Sequence, residues 1–184
     1  MTRDNALQLL KQYVKNQKMI SHSIASELIM RKLAKHFGES EEDWGQAGLL
    51  HDLDVEFTEG NAKTHGQECI PILREAGISE VVIEAISLHN EESAPKNRSS
   101  VFHHSLAAAE TLSGLIFATA MVYPDKQISS VKVSSVTKRM KDKRFAASVK
   151  RENILECEKI GLPLDKFVQL ALDALSPYDE ELMG

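Results

Sequence analysis

The sequence predicts an all-α fold, on three observations. Apolar residues recur at helical spacing along most of the chain. Stop and start signals punctuate those stripes, and no segment shows the two-residue alternation of a half-buried strand. The 184 residues, 42% of them hydrophobic, suffice for one compact domain with a real core.

Each element follows from local signals. Leu7, Leu10 and Val14 stripe a first helix, with Asp4 as its N-cap. Ile24, Leu28 and Leu33 mark a second from Ser21 to Phe37, stopped by Gly38. "SEED", Ser40 to Asp43, has capping-box spacing and opens a third helix through Leu50. His65 to Ala76 forms a fourth, ended by Gly77, and Ser79 caps a fifth through Leu88. "NEESAPKNRSS" is polar, holds Pro95 and reads as a loop. A long helix runs from Ser99 or Ser100 to Tyr123, before Pro124. Weaker helical patterns cover Val131–Met140 and Asn153–Ile160. Gly161 and Pro163 then give a stop and a start for a last helix to Leu175. There is no internal repeat and no low-complexity linker.

Composition excludes several classes. A net charge of −5 argues against a nucleic-acid polymer as partner. Cys69 and Cys157 make no disulfide framework and fit a reducing cytoplasm. The N-terminus reads as an amphipathic helix rather than a signal peptide. Gly114 to Tyr123, the longest apolar run, is too short to span a bilayer. A cytoplasmic protein without a membrane partner is expected; its oligomeric state is not legible.

Charge is unevenly placed. Glu39 to Glu59 holds eight acids and no Lys or Arg, whereas Lys126 to Arg151 holds nine Lys or Arg and one acid. Taken alone, such runs are solvated faces. The histidines raise a sharper reading, an acidic cation site beside a basic rim.

"LLHDLDVEF", Leu49 to Phe57, places His51, Asp52, Asp54 and Glu56 directly after buried leucines. Buried charge is costly unless paired or metal-bound. Adjacent helical residues diverge by about 100°, so His51 and Asp52 reach one ion only from a helix end or kink. His22 opens a helix with apolar neighbours. His36, about 21 Å further along it, cannot share an ion with His22 and instead complements the helix dipole. His65 starts a helix and His89 ends one. Glu110 lies among Leu106, Ala107, Ala108, Ala109, Leu112 and Leu115, where a carboxylate wants a cation, whether a Lys, an Arg or a metal. Imidazole with carboxylate suits Mn, Fe, Co, Ni or Zn.

These residues resemble the HD-domain metal-dependent phosphohydrolases: an early helical His22, the dyad His51-Asp52 in "LLHD", and an acid, Glu110 in "AAETLSG", on a later long helix. His65 in "THGQE" and His89 in "AISLHN" stand where two-metal members add histidines. The tail from Pro124 to Ile154 resembles a subgroup known only as predicted hydrolases. The chain departs from the pattern in carrying Glu110 for the usual Asp and "HDLD" for "HDIG".

The resemblance implies a helical bundle in which 1–184 form a single domain. Residues 20–123 would be the metal-binding core and 124–184 a C-terminal extension packed on it. It implies that His22, His51, Asp52 and Glu110 hold one divalent transition metal. His65 and His89 would hold a second ion bridged by Asp52, or contact phosphate. The activity implied is hydrolysis of a phosphomonoester or phosphoanhydride, a nucleotide included, by water activated at the metal, with Asp52 and Glu56 in catalytic roles. Asp54 is expected to be a solvated turn residue. His103, two turns before Glu110 on the same face, is a candidate phosphate contact, as are Lys138 and Lys141 if the basic segment folds over the site. His104 is expected at the surface. The competing reading is a regulatory module that binds metal or nucleotide without turnover. A plain helical scaffold is the weakest alternative.

Overall fold

A computed structural model describes all 184 residues as eleven α-helices, with two 3-10 turns and no strand. Helix α1, Arg3–Tyr13, is capped by Thr2, whose hydroxyl accepts from Asn5 N at 3.3 Å. Helix α2, Gln17–Phe37, starts a turn earlier than the sequence predicts, because Asn16 caps Lys18 N at 2.9 Å. His22 therefore lies in its second turn. Gly38, at φ +73°, ends it. Helix α3, Glu41–Leu50, starts at Ser40, which accepts from Asp43 N at 3.2 Å.

Residues 51–69 form successive turns rather than the expected helix from His65. Gly66 sits at φ +89°, outside helical space, and a buried carboxylate holds this stretch together (below). Helix α4 is only Ile70–Glu75, and α5 is Glu80–Ser87. Helix α6, Val101–Ala120, opens on Ser100, which accepts from His103 N at 3.2 Å. Helix α7 is Val133–Met140; the pattern expected over 153–160 divides into α8, Arg151–Ile154, and α9, Glu156–Lys159. Helix α10, Leu164–Leu175, is followed by α11, Asp179–Met183, which the sequence reading does not anticipate.

Helices α2 and α6 form the centre. The former packs on α3, α6 and α10, the latter on α7, α8 and α9 as well. One continuous apolar cluster runs from Ala6 to Leu182, so the C-terminal helices share the core of the rest. Trp44 stacks on Phe102 at 5.0 Å between ring centres, joining α3 to α6. Where α2 and α3 touch, a Cβ on Gly48 would lie 2.6 Å from Ser26 O. This close approach brings the end of α3 beside the start of α2. Both cysteines are free and buried, and no helix is long and apolar enough to cross a membrane.

Candidate metal centre

Four imidazoles and one carboxylate converge where α2, α3, the 51–69 turns and α5 meet. Beyond Leu50 the backbone stays right-handed at His51 but tightens, with Leu53 N bonding Leu50 O at 3.2 Å and Val55 N bonding Asp52 O at 3.1 Å. This change from i−4 to i−3 bonding accompanies two adjacent side chains facing the same point.

His22 Nε2 is 3.1 Å from His51 Nε2 and 3.5 Å from Asp52 Oδ2. Asp52 Oδ1 is 3.3 Å from His51 Nε2, 2.9 Å from His65 Nε2 and 3.7 Å from His89 Nε2. His65 and His89 present their Nε2 atoms to each other at 3.2 Å. Two groups with metal-ligating spacing result, His22–His51–Asp52 and Asp52–His65–His89, with Asp52 common to both.

Every Nδ1 faces away from this centre onto an acceptor. His51 Nδ1 bonds Gly48 O at 2.8 Å and His89 Nδ1 bonds Ile86 O at 2.7 Å. Carbonyls only accept, so both Nδ1 atoms carry a proton and donate it, which leaves each Nε2 turned to the centre. His22 Nδ1 lies 2.8 Å from Ser113 Oγ, whose own proton goes to Glu110 O at 2.8 Å, so Ser113 accepts from His22. His65 Nδ1 donates to Asp54 Oδ1 at 2.7 Å. Orientation of this kind, by the distal ring nitrogen, is typical of metal-ligating histidines.

The electrostatics agree. Burial pushes His51 down to about 3 against the pull of Asp52, and burial lowers His22 as well. Two neutral rings thus oppose lone pairs at 3.1 Å, an arrangement that a cation relieves. Burial would also lower His65, but Asp52 and Asp54 outweigh it and lift it to about 10. Burial disfavours the charge on Asp52, yet His51, His65 and His89 together hold its pKa well below the usual range. The donor set fits one or two divalent ions.

Glu110 shares the wall of a cavity of about 290 Å³ with His22, Asp52, His65 and His89, but lies outside the two tight groups. Burial pushes its pKa up to about 7. Thr111 Oγ1 donates to it, and no Lys or Arg pairs with it.

Other expectations need correction. Asp54 is fully buried rather than solvated: its two oxygens accept from Gly66 N at 3.0 and 2.9 Å, and one takes Cys69 N at 3.1 Å. It shapes the 51–69 turns and aims His65. Glu56 does not reach the cavity; one carboxylate oxygen accepts from Lys15 N and Asn16 N at 2.7 and 2.6 Å, in the α1–α2 connection. His103 lies on the same face as Glu110 but two turns nearer the start of α6, beside Glu84 at 3.6 Å and outside the cavity. Lys138 and Lys141 line a separate groove with Thr137 and Leu164. His104 is not a surface residue; it bonds Glu156 at 2.8 Å.

The basic segment does reach the site, through Ser148, Val149 and Lys150, which close the cavity with Asn153. Buried Arg151 shapes this strap by donating to the carbonyls of Ala146 at 2.6 Å, Val149 at 2.8 Å, Asp142 at 3.2 Å and Phe145. Arg98 latches it by a paired bond to Glu156, both contacts 2.9 Å, while its other nitrogen donates to Leu88 O and to His89 O. No periodicity marks Lys150 or Ser113 as a site residue. Asp54 carries a signal, the second acid in "HDLD", but burial is a property of the turns and not of the spacing.

Comparison with known proteins agrees with this geometry. Ribonuclease Y of Aster yellows witches'-broom phytoplasma (strain AYWB) is 30% identical over 98 residues, which are 53% of this chain and 18% of that protein. The chain thus spans less than a fifth of that relative's length. No solved structure gives a significant match. The HD domain matches residues 19–120, more than half of the chain and the stretch that carries His22, His51, Asp52, His65, His89 and Glu110. This chain belongs to the HD domain family.

Proposed function

We propose that the protein is a metal-dependent phosphohydrolase acting on small phosphorylated molecules. The observation that supports this best is the inward set of four Nε2 atoms around Asp52, each ring fixed from behind by a hydrogen bond. His22, His51 and Asp52 would hold one ion; Asp52, His65 and His89 would hold a second. Mn, Fe, Co, Ni and Zn all suit such ligands.

A bound divalent cation would polarise a phosphoryl oxygen and lower the pKa of water toward about 7. The chain supplies the rest. Ser113, Asp54 and two backbone carbonyls hold the imidazoles with Nε2 pointed inward. Asp52 contributes negative charge between the two groups. Glu110 offers a carboxyl with no Lys or Arg partner in the same cavity, and Ser148, Val149 and Lys150 of the strap line its rim. Glu56 has no part in this scheme, since its carboxylate is committed to the α1–α2 connection.

Phosphate release from p-nitrophenyl phosphate and from pyrophosphate, after loading with each metal in turn, tests the reading. Release that depends on metal and is lost in Asp52→Asn supports it. Stoichiometric metal without release from any substrate would favour a metal-binding regulatory module.

A further inference from the structure

The cavity wall opposite the ligand cluster is informative about the substrate. Its volume, about 290 Å³, lies at the lower end of ligand pockets, which run from roughly 300 to 1,000 Å³. Val149 is the one hydrophobic residue lining it, and no Phe, Tyr or Trp does. A nucleobase would find no aromatic ring to stack on. Small polar groups dominate the far side: Thr111 Oγ1, whose lone pairs are open once its proton goes to Glu110, and the exposed Ser148.

Lys150 is the one permanently charged cation on the wall. Glu91 and Glu92 hold its ammonium at 2.5 and 2.8 Å, which leaves one of its three N–H groups unused. Glu91 itself lines the cavity, so the wall beside Lys150 also carries negative charge. That charge would repel a chain of further phosphates.

Resting on the phosphohydrolase reading, we propose that the substrate is a compact phosphomonoester with a hydroxylic, non-aromatic organic part, and that Lys150 of the C-terminal strap binds its phosphate. This narrows the sequence-based expectation, which admitted nucleotides and phosphoanhydrides. Lys150 then acts as a point charge that completes the coordination of the phosphate from the side opposite the imidazoles.

The test pairs binding with selectivity. Inorganic phosphate is titrated calorimetrically into Mn-loaded wild type, Lys150→Met and Lys150→Arg. Loss of one charge-assisted contact should weaken binding about tenfold in Lys150→Met, with restoration in Lys150→Arg and metal content unchanged in all three. Equal affinity in wild type and Lys150→Met would overturn the assignment of Lys150. Because Lys150 is exposed, neither variant threatens the fold. Ribose 5-phosphate and adenosine 5′-monophosphate, which carry an anomeric hydroxyl and adenine respectively at C1′, are then compared as substrates. The wall predicts kcat/KM at least about tenfold higher for the sugar phosphate. Equality, or preference for the nucleotide, would overturn the substrate class. Failure of metal-loaded wild type to hydrolyse any phosphate ester would instead overturn the phosphohydrolase reading, whatever the phosphate titration shows.

Discussion

At the scale of single residues, the site is defined less by its inward atoms than by what holds them from behind. Ser113 is the clearest case. Its hydroxyl gives its proton to Glu110 O and so can only accept from His22 Nδ1. Ser113→Ala removes that acceptor and frees the ring to turn. Metal affinity, measured by competition with a chromophoric chelator, should fall roughly 10- to 100-fold, as for other partners of ligating histidines. Gly114, the next residue, makes a different prediction. A Cβ there meets nothing closer than Val149 Cγ2 at 3.9 Å, so Gly114→Ala fits, and in mid-helix it should raise stability by roughly 0.5–1 kcal/mol. The added methyl also takes space from the cavity, so the same variant should show a higher Tm in thermal denaturation and a reduced kcat/KM. The sequence made His22, His51, Asp52, His65 and His89 legible because imidazoles and a His-Asp pair are rare enough to stand out. It could not reveal Ser113, Asp54 or Lys150. A serine, an acid or a lysine of this kind is common, and only tertiary placement singles these out.

At the scale of elements, helix boundaries decide what the site can reach. The long stripes of α2, α3 and α6 were readable because each buries a face for several turns. The 51–69 segment was not, since its conformation depends on Asp54 binding Gly66 N and Cys69 N across a dozen residues. The latch between α9 and the loop after α5 was equally hidden. Arg98 and Glu156 are distant in sequence and meet through packing. Burial works against the charge on Glu156, but the bonds from Arg98 and His104 outweigh it and depress its pKa below the ordinary 4.5. Its contribution to stability is therefore fully present above about pH 4.5 and is lost as pH falls through the lower, folded-state value. Glu156→Gln should destabilise the protein by on the order of 3 kcal/mol at pH 7 by urea unfolding, because Arg98 is left buried without its carboxylate. The gap between variant and wild type should narrow below about pH 4.5. A gap independent of pH would show that the cost arises from packing rather than from charge.

At the scale of the whole molecule, one core joins both ends of the chain. Ala6, Leu33, Leu112 and Leu175 belong to a single buried cluster, and α10 packs on α2 as well as on α6. Unfolding followed by Trp44 fluorescence and by helical circular dichroism should therefore coincide in one transition. The C-terminal helices would in that case be part of the domain and not a separable appendage. The fold and the metal centre are coupled for the same reason. The dyad leaves a helix whose leucines are buried, the opposing histidine lies in the second turn of the helix it packs on, and Arg98, which bonds Glu156 of α9, also bonds the carbonyls of Leu88 and His89. We infer that this arrangement serves to hold metal. The most direct test is elemental analysis of the untagged protein beside His51→Ala. Roughly one to two equivalents of a transition metal in the wild type, and loss of it in the variant, is the predicted result. Absence of metal from both, even after reconstitution with Mn, Fe, Co, Ni and Zn, would contradict it.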